Sequence, residues 1–355
     1  MLKGKRILVA PLDWGLGHAA RCVPIVHRLL ERGAQPIIGA DKGPLALLRA
    51  EFPALEQVRI PGVEVRYSSG GNQLWSMARQ FPAMVRSVQA ERALFDRLRG
   101  PLRLDAVISD QRFGLRSANL PSVLITHQVF PFTPFAQAAL RKLNLRHLAR
   151  FDRCWVMDEP EAPGLAGELS HGPLMPRHAR YIGVVSRMAG ASPAQQRYGM
   201  VAVISGPEPQ RTLLEQRLLE QLPRIPGVHL LVLGQPHAPR SERIGGVDVR
   251  SHLTGQALAA AMAGARLIVS RSGYTTLMDL AALGRSALII PTPGQEEQEY
   301  LGRLHARTGR FIVQPQQGLD LARAWQQSDG LRDSAPPPNT DLLERALDDL
   351  AALIP

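Results

Sequence analysis

The sequence predicts an α/β protein of two Rossmann-like domains facing across a cleft. Three observations predict it. Short β-branched runs alternate with longer amphipathic stretches, the pattern restarts near residue 200, and a small, polar, turn-rich segment (186–199) separates the two series. The chain has 355 residues, enough for a buried core in each half.

In the first half the strand candidates are Arg6–Pro11, Gln35–Ala40, Asp105–Ser109, Ser122–Thr126 and Cys154–Met157. Several are continuous apolar runs, as strands covered on both faces require. Helices are predicted over 18–32, 43–51, 75–99 and 133–150. The second half offers strands at Val201–Ser205, His229–Leu233, Val247–Arg250, Leu267–Ser270 and Ala287–Ile290. Its helices are predicted over 210–222, 255–263, 274–283, 296–307 and 339–352. The expected division is a first domain over 1–185, a linker over 186–199, a second domain over 200–334 and a closing helical segment over 335–355. A Pro-rich breaker at 335–339 precedes that last helix, with Thr340 the expected N-cap.

Composition narrows the function classes. No apolar run approaches the roughly 18 residues of a membrane span, and the start of the chain does not read as a secretory signal. Two cysteines, Cys22 and Cys154, without CxxC spacing leave no disulfide framework and no cysteine zinc site, so a reducing cytoplasm is the expected compartment. The net charge is +11, and residues 66–150 alone hold 13 Lys and Arg against 4 Asp and Glu. The half from 181 onward is nearly neutral. The asymmetry predicts an anionic partner for the first domain. Nucleic acid is not expected, because the basic region carries no recognition motif.

In parallel sheets ligands sit beyond the carboxyl ends of the strands, so chemistry is sought in the loops there. The first such loop contains Asp13, Gly15, Gly17 and His18, followed by Arg21. The glycines allow a tight entry into the helix, and a His in a helix's first turn is held towards its neutral form, suited to a general base. A capping His in an ordinary βα turn is the plain alternative. Asp110, ending another apolar strand, or Asp13 orients His18 as a catalytic partner; otherwise Asp110 caps a helix or pairs with Arg112. His127 is a further candidate facing the same cleft.

The second half has three loops of interest. Ser205-Gly206-Pro207 follows one strand. Arg271-Ser272-Gly273-Tyr274-Thr275-Thr276 follows another and opens a helix, a backbone anion site suited to a diphosphate without metal. Asp279 stands two turns into that helix, placed to accept from ribose hydroxyls. The third loop, from Pro291 through Gln295, Gln298 and Glu299 to Tyr300, is dense in acceptors suited to a polyhydroxylated ligand, although an acidic first turn is its plain explanation.

The run Arg271-Ser272-Gly273 to Asp279, then a strand ending at Pro291, then Gln298-Glu299-Tyr300, resembles the donor-binding signature of glycosyltransferase family 28. That family includes the lipid II-forming N-acetylglucosaminyltransferase. Gly15-x-Gly17-His18 is similar to the family's N-terminal glycine-rich motif. The resemblance implies a GT-B fold, with the acceptor domain first, the nucleotide-sugar domain second and a final helix crossing back to the first. It also implies metal-independent inverting transfer from a nucleoside-diphosphate sugar, usually UDP-linked, to a hydroxyl acceptor of lipid-linked type, with no cofactor. By position, Ser205, Gly206, Ser272, Gly273, Thr275 and Thr276 would bind the diphosphate or ribose. Asp279 stands where the family has a ribose-binding glutamate, and Gln298 and Glu299 stand where two glutamines read the donor sugar, Glu299 being the departure. Gly15 through Arg21 also resembles the Gly-x-Gly-His-x-x-Arg motif of pseudaminic-acid pathway nucleotide-sugar hydrolases, in which the base would activate water. A non-catalytic nucleotide-sugar binder is the reading from another class.

Residues 75–99 set Trp75, Met77, Phe81, Phe95 and other apolar residues among arginines, and 130–150 set Phe130, Phe132 and Phe135 beside Arg141, Lys142, Arg146 and Arg150. Such basic, apolar helices would lie on an anionic membrane surface, the inner face of the plasma membrane in a cytoplasmic protein. The alternative makes the apolar face core and the arginines a solvated face.

Overall fold

The computed structural model describes residues 1–13, 15–62, 73–133, 137–191, 198–236, 238–334 and 341–355, with the side chains of 73–85 excepted. The chain divides into two compact units. The first gathers the described residues of Met1–Arg66, Leu74–Ser186 and Asn339–Pro355, and the second is built on Arg187–Pro338.

The first unit holds strands β1 (Arg6–Pro11), β2 (Gln35–Ala40), β3 (Glu56–Arg59), β4 (Ala106–Asp110), β5 (Ser122–Thr126), β6 (Arg153–Val156) and β7 (Ala179–Tyr181). They form one parallel sheet in the order β3-β2-β1-β4-β5-β6-β7. Helices α1 (Leu16–Glu31), α2 (Lys42–Glu51), α3 (Gln73–Leu98) and α4 (Gln137–Leu148) belong to this unit. The chain runs outward from β1 to β3 and then returns to β4 on the other side of β1. The loops after β1 and β4 therefore flank the point where strand order reverses, where a ligand crevice forms in such sheets. The register sets Pro11 beside Asp110 at this end.

The second unit repeats the plan. Strands β8 (Tyr198–Val203), β9 (His229–Val232), β10 (Ser241–Ile244), β11 (Val247–Arg250), β12 (Ala265–Ser270), β13 (Ala287–Ile289) and β14 (Phe311–Val313) lie in the order β10-β11-β9-β8-β12-β13-β14. The reversal falls between β8 and β12. Helices α5 (Gln210–Gln221), α6 (Gly255–Ala263), α7 (Tyr274–Ala282), α8 (Glu296–Ala306) and α9 (Leu321–Gln327) complete the unit. Its core joins Met200, Ala202, Leu231, Leu267, Val269 and Leu288 from the sheet to Leu214 and Leu218 of α5.

The last helix, α10 (Leu342–Leu353), is part of the first unit. It buries Ala346, Leu347 and Leu350. Arg32, capping the end of α1, bonds Glu344 and Asp348, and Arg153 of β6 bonds Asp349. The helix is thus attached by an apolar face and two arginine clamps.

Some expectations shift. The first strand facing β1 ends at Asp110 rather than Ser109, which brings that carboxylate onto the sheet. β8 starts at Tyr198, inside the expected linker, and ends at Val203, leaving Ser205 in the loop. Strands β3, β7, β10 and β14, and helix α9, were not in the sequence reading; each strand is three or four residues long at or near a sheet edge, too short for a pattern. Asp341 caps α10, and Thr340 lies outside the described residues.

Leu347 is fully buried whereas the side chain of Asp348 is 73% exposed. Leu347→Ala should lower stability by about 2–5 kcal/mol in urea unfolding. Asp348→Ala should cost about 1 kcal/mol or less.

Candidate functional site

In the first unit the site is built on the loop from β1 into α1. Gly15 takes φ +107° as the N-cap, a conformation that a side chain would oppose, and so admits the sharp entry into the helix. His18 then falls in the first turn and Arg21 one turn later on the same face. His18 Nδ1 lies 3.0 Å from Asp110 Oδ2 at the end of β4. Arg21 donates Nε to the same oxygen at 2.7 Å and Nη2 to Oδ1 at 2.5 Å. The Nη2 group also lies 2.9 Å from His18 Nδ1, and Nη1 lies 3.1 Å from His127 Nδ1.

Asp110 is fully buried and Arg21 2% exposed, while the His18 side chain keeps 18% of its surface. Burial would push the Asp110 carboxyl up, but the charges of Arg21 and His18 and their hydrogen bonds outweigh it and hold the group well below the usual carboxylate range. Burial pushes the His18 imidazole down, the Arg21 charge adds to this, and Asp110 works in the opposite direction without reversing it. The imidazole is therefore neutral near pH 7. When it donates Nδ1–H to the Asp110 carboxylate, Nε2 retains its lone pair and can take a proton.

The structure thus brings His18 and Asp110 together and adds Arg21, which the sequence reading marked only as a flanking residue. His127 joins the same network through Arg21. Asp110 does not pair with Arg112. That guanidinium is buried on Glu91 at 2.9 Å and donates to the carbonyls of Ile60 and Pro61, bracing the ends of β1 and β3. Asp13 packs over Gly62, where an added Cβ would come within 2.5 Å of the aspartate Cβ.

In the second unit the first turn of α8 ties the loops together. Ser272 Oγ donates to the Gln298 carbonyl at 2.8 Å. Gln298 accepts from the Thr292 amide at 3.0 Å and donates to Gln295 Oε1 at 2.5 Å. Glu299 accepts from the Gly294 amide at 2.9 Å. Gly273 caps α7, with Thr275 and Thr276 half-buried in the turn that follows. Ser205 and Gly206 are exposed, and Gly206 has φ +111°; a Cβ there would stand 3.8 Å from Thr292 Oγ1. Asp279 lies on the buried face of α7.

Arg271, 1% exposed, donates to the carbonyls of Gln210 and Ile290, joining α5 to the end of β13 beneath the Ser272 loop. Burial lowers this guanidinium to about 10. Among the described residues no group of three His, Cys, Asp or Glu is placed to hold a metal ion.

Residues 255–321, from α6 into α9, match the glycosyltransferase family 28 C-terminal domain. Over this segment the chain is similar to glycosyltransferase family 28. The family 28 segment covers both the Ser272 loop and the first turn of α8.

Among curated relatives, a UDP-N-acetylglucosamine–N-acetylmuramyl-(pentapeptide) pyrophosphoryl-undecaprenol N-acetylglucosamine transferase of Syntrophotalea carbinolica is 45% identical over 64 residues, 18% of each chain. The chain thus aligns with under a fifth of that relative's length. The transferase of the same name from Methylobacterium nodulans is 26% identical over 80% of this chain and 76% of its own. Of solved structures, MurG of Acinetobacter baumannii aligns with a TM-score of 0.56 at 13% identity, over 98% of this chain and 99% of that one. The kitacinnamycin glycotransferase aligns with a TM-score of 0.66 at 14% identity, over 99% and 100%. These likenesses show the fold, GT-B, and in this chain the terminal helix belongs to the first of the two Rossmann-like units.

In the apolar-stripe segments, Phe95, Phe130 and Leu148 are core residues, and Arg141 stacks over Phe130 and Phe132. The part of the membrane reading that rests on these phenylalanines is corrected: they face inward because the sheet needs their area. The side chains of Trp75, Met77 and Phe81, and Phe135, lie outside the described residues.

Arg21→Met should cost about 3–5 kcal/mol in urea unfolding, because it leaves Asp110 as a buried charge without its counterion. Adding Asp110→Leu should recover most of the loss. In Asp110→Asn, NMR titration should place the His18 pKa lower than in the parent, since the group that raises it is gone.

Proposed function

We propose that the protein is a metal-independent, inverting glycosyltransferase that moves a sugar from a nucleoside-diphosphate donor, UDP-linked, to a hydroxyl acceptor on a lipid-linked molecule. The observation that carries the reading is the family 28 match falling on the loops that Gln298 ties together. The Methylobacterium nodulans relative, whose name specifies a UDP-linked donor and an undecaprenol-linked acceptor, supports the choice of substrates.

In this reading the second unit holds the donor. Backbone N–H groups at the start of α7, with Ser272, Thr275 and Thr276, meet the diphosphate, and the N-terminal end of the helix offsets the charge that grows on it as the sugar departs. Ser205 and Gly206 bring a further exposed turn to it. Asp279 serves the ribose, and Gln295, Gln298 and Glu299 the sugar. The first unit supplies the base. An alcohol must lose its proton as it attacks the anomeric carbon, and His18 Nε2 takes it while Asp110 holds Nδ1–H and stabilises the imidazolium that forms. Attack from the face opposite the leaving diphosphate inverts the anomeric centre. Asp13 and the two glycines shape the loop that presents the base.

The acceptor's membrane origin rests on charge. Lys142, Arg146 and Arg150 are exposed at four-residue spacing along and just beyond α4, one stripe that an anionic bilayer would attract. The protein would then act at the cytoplasmic face of the membrane. Among the described residues no helix is long and apolar enough to cross one.

Turnover is measured as UDP release and glycosylated product, with and without polyprenyl-linked acceptor. His18→Ala should lose about 10²-fold or more in kcat with UDP affinity unchanged. The parent's acid limb should fall below the ordinary imidazole value, because His18 must be neutral to act and its pKa is lowered. Equal UDP release without any acceptor would replace transfer by hydrolysis, with the same base activating water. Unchanged kcat in His18→Ala would remove His18 from the mechanism.

A further inference from the structure

The far side of α8 borders a cavity of about 530 Å³ inside the second unit. Glu299, Gly302, Arg303 and Ala306 line it at helical spacings of three and four, so one face of α8 forms a wall. The opposite wall is Val313 at the end of β14 and the glutamine-rich turn after it, and Pro291 and Pro293 close one end. The size is that of a small-molecule site. It adjoins the Ser272 loop and shares Glu299 with the donor-sugar residues proposed above, on which reading its donor form rests, while Gln298 turns its side chain away towards Thr292 and Gln295.

The polar groups define what fits. Glu299 has one carboxylate oxygen on the Gly294 amide, and as an ionised acid it can only accept. Arg303, one turn on, is exposed and makes no ion pair or hydrogen bond with a described residue, although Glu299 stands at i−4. Gln316, 3% exposed in the same wall, has an Oε1 without a donor. The apolar part of the surface is Pro291, Pro293, Pro315, Ala306 and Val313, with Gln314 and Gln317 beside it.

From this arrangement we infer that the groove binds a sugar acid: a ring lying on the proline-lined wall, hydroxyls donated to Glu299, and a carboxylate paired with Arg303. The two oxygens of a carboxylate match the guanidinium fork. A neutral sugar would leave that fork in water, and a bare anion would leave the apolar wall and Glu299 uncovered. The sugar acid reaches the groove either free or carried on a nucleoside diphosphate whose pyrophosphate lies at α7.

Calorimetric titration of the full chain with D-glucuronate, D-glucose, acetate, UDP-glucuronate and UDP-glucose tests this. A preference of about tenfold or more for the acid over the neutral sugar is expected, the worth of one charge-assisted bond. It should be lost in Arg303→Gln, kept in part in Arg303→Lys, and lost in Ala306→Trp, which fills the groove from an exposed position. Preference among the free sugars identifies a separate ligand; preference only among the UDP-sugars identifies the donor. The inference is overturned by equal binding of acid and neutral sugar in both forms, by acetate binding as well as glucuronate, or by a preference that survives both Arg303→Gln and Ala306→Trp. Failure to bind UDP in any form would count against the donor reading above, while the free-sugar titrations would still decide the groove.

Discussion

The buried pair of Arg21 and Asp110 is the constraint around which the first unit is arranged. Taking a carboxylate entirely out of water costs several kcal/mol even after relaxation. Only a partner that reaches both oxygens in good geometry offsets that cost, and Arg21 does so through Nε and Nη2. For the two to meet, β1 and β4 must be neighbours with Pro11 beside Asp110, and α1 must start where Gly15 allows it to. The strand order is therefore what lets residues 89 positions apart form the pair. His18 occupies the remaining place on the carboxylate, with Arg21 and Asp110 pulling its pKa in opposite directions.

The second unit solves a different problem with neutral groups. Its loops after β12 and β13 are held by the amide of Gln298 and by the backbone of α8's first turn. Glu299 secures Gly294 in the same turn. The only buried cation beneath these loops, among the described residues of the Ser270–Ser272 strand end, is Arg271, whose donors go to backbone carbonyls. It braces the loops from below, and the groups proposed above to meet the diphosphate are peptide N–H groups and hydroxyls.

Much of the fold could be read from local pattern because buried parallel strands are apolar on both faces. β1, β4, β5 and β12 each announce themselves within five or six residues. β3 (Glu-Gln-Val-Arg) and β10 (Ser-Glu-Arg-Ile) do not, since they sit at sheet edges and keep much of their surface in solvent. The site was legible to the extent that it follows the same rule: His18 and Asp110 were found because they end strand–loop junctions. Arg21 was visible in spacing but not in role. Nothing local distinguishes an arginine bound for a buried carboxylate from one on a solvated face, and Arg112, two residues from Asp110, was the nearer choice. Its own partner, Glu91, comes from α3 and is 21 residues away.

The basic excess shows the same limit from the other side. A count of charge over 66–150 cannot separate arginines that serve the fold from those that face solvent. Arg112 is buried on Glu91, Arg92 pairs with Asp96, and Arg141 lies over two phenylalanine rings. Pairing does not remove the excess, because the region has too few acids to match its bases. It concentrates what remains on residues with no structural duty, and Lys142, Arg146 and Arg150 are exposed in one stripe. A field from charges set close together on one surface is stronger near that surface than the same charges spread over a domain, because each lies within a Debye length of its neighbours. The fold thus converts a diffuse surplus in the sequence into a local one.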